Sequence, residues 1–118
     1  MEPLLLAPTR RGPLERASRI VRAPMTRGRA IGNVPNALMA AHDAQRAGFG
    51  LLITGGTAPS ANGPGHARIP GAFSPEAVTG WRRVADAVHG RGGGCHRARG
   101  EPEPAEPAPT VGTRRCHA

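Results

Sequence analysis

The chain has 118 residues and a formal net charge of +8 carried by arginine, length for one small domain and no more. Seventeen Gly and thirteen Pro against two Phe, one Trp and no Tyr leave few large side chains, so only a modest core is expected. The arginines are spread from Arg10 to Arg115 without aromatic platforms. That pattern excludes a dedicated base-stacking surface and leaves only salt-sensitive, non-specific attraction to nucleic acid. No window approaches the ~20 apolar residues of a membrane span. Leu4-Leu5-Leu6 is too short for a signal segment, and Cys95 and Cys116 form no C-x-x-C pair. A cytoplasmic location is the expectation.

In chain order, Pro3–Leu6 and Pro13–Arg16 flank the turn Thr9-Arg10-Arg11-Gly12 and predict a hairpin. Ile20 to Met25 predicts a strand, opened by β-branched residues and closed by Pro24, which has no N–H for a ladder. Arg22 is out of place there, because a strand buried on both faces has little room for an unpaired guanidinium. Asn36 is a suitable N-cap for a helix reaching about Ala47, with Leu38, Ala41 and Gln45 on one face. Phe49 to Thr54, containing the run Leu51-Leu52-Ile53, predicts a buried parallel strand.

A long loop follows, from Gly55 to Gly71. Ser74-Pro75-Glu76 then supplies a hydroxyl cap, a proline at the first helical position and an acid in the first turn. Val78, Trp81, Ala85 and Val88 form the apolar stripe of that helix, Arg82 and Arg83 face water, and Gly92-Gly93-Gly94 ends it. From Cys95 onward Val111 is the only large aliphatic residue, so residues 95–118 are expected to be a disordered Pro/Arg-rich tail. A shift of reading frame near codon 94 is one explanation for so abrupt a change.

Two blocks carry a resemblance: Pro24-Met25-Thr26-Arg27 and Gly32-Asn33-Val34-Pro35-Asn36, reinforced downstream by Ala44-Gln45-Arg46-Ala47 and Leu51-Leu52-Ile53-Thr54-Gly55-Gly56-Thr57. In this order and spacing they resemble the N-terminus of the Old Yellow Enzyme family of FMN-dependent NADH:flavin oxidoreductases, over roughly residues 3–93. The resemblance implies an α/β fold, the opening of a (β/α)8 TIM barrel. A whole barrel takes ~250 residues, so residues 1–94 are expected to hold the N-terminal hairpin and about two βα units of an incomplete one. It further implies FMN as cofactor, NADH or NADPH as reductant, and hydride transfer through FMN to an activated alkene as small-molecule substrate.

Carried over residue by residue, Pro24 and Met25 resemble the positions whose backbone lies along the flavin ring. Thr26 resembles the hydroxyl that hydrogen-bonds the ring O4, and Gly56 a position whose missing side chain admits the ring. His66 falls in the loop that borders the substrate in such enzymes, and His42 replaces an aromatic. From spacing alone, Pro24-Met25-Thr26 is equally a strand end and a turn, and His66 a solvated loop histidine. The histidines and cysteines match no metal-ligand spacing. The family's phosphate grip, catalytic Tyr and paired substrate-binding His/Asn have no counterpart, so no catalytic residue is assigned. The competing expectations are an inactive fragment and a small basic interaction module.

Overall fold

The structure is a computed structural model that describes residues 3–96. Two short strands, β1 (Thr9–Arg11) and β2 (Leu14–Arg16), pair antiparallel, with Arg10 opposite Glu15 so that unlike charges face each other across the hairpin. The expected hairpin is present, but its first arm begins later than the sequence suggests. Leu4–Leu6 forms a 3-10 turn, and its leucines are exposed. The Leu5 carbonyl accepts the Arg19 N–H at 2.9 Å, which ties this turn to the segment leading into the sheet.

The sheet proper contains β3 (Val21–Arg22), β4 (Leu51–Ile53) and β5 (Cys95–His96), all parallel, in the order β3-β4-β5. Parallel neighbours need a crossover, usually a helix. Helix α1 (Ala37–Ala44) makes the first and α2 (Pro75–His89) the second. Strand β5 corrects the expectation that order ends at Gly94: the chain pairs with β4 for two residues beyond it. The remainder of the expected disordered tail, residues 97–118, lies outside the described residues.

Both helix starts form as their sequences dictate. Asn36 Oδ1 accepts the Met39 N–H and Ser74 Oγ accepts the Ala77 N–H, each at 3.1 Å. Helix α1 ends at Ala44, but bonds from Arg46 N–H to Asp43 O and from Ala47 N–H to Ala44 O carry a tighter turn on towards β4. Its buried side is not the expected one. Ala40, Asp43 and Ala44 face inward, whereas Leu38, Ala41 and Gln45 face solvent. Six of the eight residues of α1 are apolar and four of those are alanine, so periodicity does not distinguish its faces, and the small residues are those that allow close approach.

The core lies between the sheet and α2. Leu52, on the central strand, packs with Ala47 and Val88; Trp81 and Val84 pack with Ala40 of α1. Leu52, Val84 and Val88 are fully enclosed, each contributing roughly 1.5–3 kcal/mol of transfer free energy. The inward residues of α2 are Ala77, Gly80, Trp81, Val84 and Val88, with Val78 and Ala85 half-buried at the margins of the stripe. Gly80 is required where α2 meets the segment leading into α1, because a Cβ there would lie 2.4 Å from the Pro35 carbonyl oxygen.

Candidate functional site

Because β3 and β4 run the same way, their C-terminal ends emerge on the same side of the sheet, and the chain after each passes close to the other. A Cβ at Gly55 would sit 2.7 Å from Met25 O and 3.0 Å from Thr26 Cα. No side chain fits there, and only a glycine lets the two strand ends converge this closely. The next residue completes the join: Gly56 N–H donates to Thr26 Oγ1 at 3.1 Å. A hydroxyl that accepts one hydrogen bond keeps its own proton to donate. Thr26 is exposed, so that proton is available to something outside the chain.

The two loops on this side are clasped together. Ala30 N–H donates to Arg68 O at 3.0 Å, Asn33 Nδ2 to Ile69 O at 2.6 Å, and Gly71 N–H to Asn33 O at 2.7 Å. Asn33 and Arg68 hold left-handed φ angles of 61° and 59°, uncommon for residues with side chains. Trp81 Nε1 extends the clasp to α2 with a 2.8 Å bond to Gly71 O. Asn36, besides capping α1, donates from Nδ2 to Arg29 O at 2.8 Å. The backbone from Arg29 to Asn36 is therefore held from several directions.

A cavity of about 410 Å³ opens beside these strand ends. Met25, Thr26, Gly55 and Gly56 form one wall, Leu38, Met39 and His42 of α1 another, and Trp81 and Pro70 part of the lining. Arg27 and Arg29 stand on it as well. Arg22 and Asp43 also contribute, as a buried ion pair with Nη1 to Oδ1 at 2.7 Å and side chains only 11% and 8% exposed. The guanidinium that looked out of place in its strand is thus paired across to α1. The same Oδ1 lies 3.1 Å from His42 Nδ1. A carboxylate only accepts, so a neutral His42 making this bond carries its proton on Nδ1.

Of the residues singled out from the sequence, the structure brings Met25, Thr26 and Gly56 together on one wall. Pro24 is exposed next to them and does not line the cavity; His66 is exposed in the loop and does not line it either. Sequence reasoning missed the Arg22–Asp43–His42 cluster, because Arg22 lies 21 positions from Asp43 and no local pattern joins them. It also missed the closeness of Gly55 to Met25, although two adjacent glycines after a buried strand were the available signal. Among the described residues no three His, Cys, Asp or Glu side chains gather as a metal site, and no helix is long and apolar enough to cross a membrane.

With this geometry in view, likeness to known proteins is informative. Residues 5–95 match the NADH:flavin oxidoreductase / NADH oxidase family. A rice (Oryza sativa subsp. japonica) protein, 12-oxophytodienoate reductase 7, is 50% identical over 76 residues, which cover 64% of this chain and 19% of that protein. Chanoclavine-I aldehyde reductase from Penicillium roqueforti is 44% identical over 91 residues, covering 75% of this chain and 25% of that one. Among solved structures, the old yellow enzyme homologue from Zymomonas mobilis superposes with a TM-score of 0.78 at 40% identity, over 82% of this chain and 28% of that one. Morphinone reductase in complex with tetrahydroNAD superposes with 0.79 at 34% identity, over 83% and 27%. The chain belongs to the NADH:flavin oxidoreductase / NADH oxidase family, the family of the old yellow enzymes. It spans about a fifth to a quarter of the length of the curated relatives named here.

Proposed function

We propose that residues 3–96 are the N-terminal part of a (β/α)8 barrel, and that the strand-end wall described above is one side of an FMN site in an NAD(P)H-dependent oxidoreductase. The parallel order β3-β4-β5, with one helix per crossover, supports the barrel reading. Active sites of such barrels lie at the C-terminal ends of the strands, where Met25, Thr26 and Gly56 meet. When bound, FMN would supply hydride transfer from a reduced nicotinamide to an activated alkene.

The residues present fit one edge of a flavin. The Pro24–Met25 backbone would run along the ring, Thr26 would donate its free hydroxyl proton to the ring O4, and Gly55 and Gly56 leave the approach open. A donor at that oxygen stabilises negative charge gathering on the ring's pyrimidine side upon reduction. The observation that carries this reading is the Gly56-to-Thr26 hydrogen bond, which leaves an exposed hydroxyl free as a donor at the junction of two parallel strand ends.

The test is nuclear magnetic resonance of the 118-residue chain titrated with FMN. One wall of a pocket holds a ligand weakly, so no stoichiometric FMN is expected to co-purify. Added FMN should nevertheless shift the amide resonances of Met25, Thr26 and Gly56, and Thr26→Val should weaken the effect. Shifts confined to other surfaces, or none, would refute the flavin wall. A stoichiometrically yellow preparation that reduces an enone would refute the single-wall account.

A further inference from the structure

The cavity carries more positive charge than a flavin edge requires. Its one carboxylate, Asp43, is engaged by both Arg22 and His42 and is buried. It is therefore not free to neutralise Arg27 and Arg29, neither of which forms an ion pair among the described residues. Gly28 separates the two arginines and holds a left-handed φ of 61°, which glycine adopts without steric cost. The backbone around Arg29 is held by Asn36 Nδ2 on its carbonyl and by the Ala30 N–H bond to Arg68 O. Two guanidinium groups without an ion-pair partner among the described residues thus stand on an anchored segment beside the cavity. Its apolar lining includes Met25, Leu38, Met39 and Trp81, and its polar lining includes Thr26, His42 and Thr54. The indole is held in place by its own hydrogen bond to Gly71 O.

From this arrangement we infer that the cavity is a binding site for a small organic oxyanion, a carboxylate or phosphate monoester on an apolar body. The anionic end is received by Arg27 and Arg29, and the body lies along Trp81 and the methionines. Guanidinium forks match the geometry of either oxyanion, and both arginines are exposed, so affinity is modest and sensitive to salt. The site shares Met25, Thr26 and Gly56 with the flavin wall but rests on Arg27 and Arg29, so loss of anion binding in the arginine variants with the FMN-induced amide shifts retained separates the two readings.

Trp81 is the chain's single tryptophan and lies on the cavity, so its fluorescence reports occupancy directly. The 118-residue chain is titrated at constant ionic strength with benzoate and phenyl phosphate, and with the neutral isostere benzamide. Saturable change is expected with one or both anions and not with benzamide, their ratio distinguishing carboxylate from phosphate. The double variant Arg27→Gln/Arg29→Gln should weaken binding about tenfold through loss of charge-assisted bonds, and Arg27→Lys/Arg29→Lys should restore part of it. Arg82→Gln/Arg83→Gln removes the same charge from the exposed face of α2 and should change binding by less than about twofold, because that charge is screened. Equal binding of benzamide, no saturable response to either anion, or equal loss in the two glutamine variants would overturn the site.

Discussion

The two crossover helices dock by different means. Helix α2 spans 15 residues and lays Trp81, Val84 and Val88 into the core, so its hold is apolar area and shape. Helix α1 spans eight residues and brings inward only Ala40, Ala44 and a charged Asp43, which Arg22 of β3 receives. Apolar packing stabilises without directional demand. A buried ion pair must offset the desolvation of both charges, and it becomes a liability once either partner is removed. The difference shows how one small fold can hold one helix by bulk and the other by close packing of small residues plus one directed contact.

The sharpest way to break that comparison is at Trp81. Trp81→Ala should cost about 4 kcal/mol, through the cavity it opens and the loss of the bond to Gly71 O; urea unfolding followed by circular dichroism measures it. Asp43→Ala should cost about 3 kcal/mol by leaving Arg22 charged and unpaired, whereas Arg22→Met/Asp43→Leu should return to the wild-type midpoint or pass it. A double variant as unstable as Asp43→Ala would mean that the pair itself, rather than relief of a stranded charge, holds α1. Gly80→Ala should cost about 2 kcal/mol, because its methyl meets the Pro35 carbonyl where α2 abuts the segment leading into α1. The smallest effect belongs to Leu38→Ser. At 62% exposure, Leu38 should change stability by no more than ~0.5 kcal/mol, and a larger loss would restore the face the sequence suggested.

Where local chemistry decides an element, the sequence was sufficient. Asn36 and Ser74 cap as their side chains dictate, Leu51-Leu52-Ile53 forms the central strand, and the glycines after His89 end α2. The α2 stripe was legible because Trp81 and Val88 are large enough to mark a face. On α1 no residue had that weight, and a partner 21 positions upstream chose the face through Asp43. The same distinction runs through the site. The wall of Met25, Thr26 and Gly56 followed from motif likeness, and the structure brings those three together. The Gly55–Met25 approach and the Arg22–Asp43–His42 cluster depend on pairing between distant segments, which no local pattern encodes. Strand β5 was obscured for a related reason: β4 supplies the ladder that Cys95 and His96 join, whatever their own propensity.

The clasp between the two loops has one more consequence. Ala58 is bridged to Gly71 on one side, and Asn33 grips Ile69 and Gly71 on the other. The intervening stretch, from Pro59 to Ala67, thus lies between two anchored ends. Substitutions within it are therefore expected to leave the junction of Thr26 and Gly56 in place, because the contacts that hold the frame lie at Ala58 and at Arg68 to Gly71.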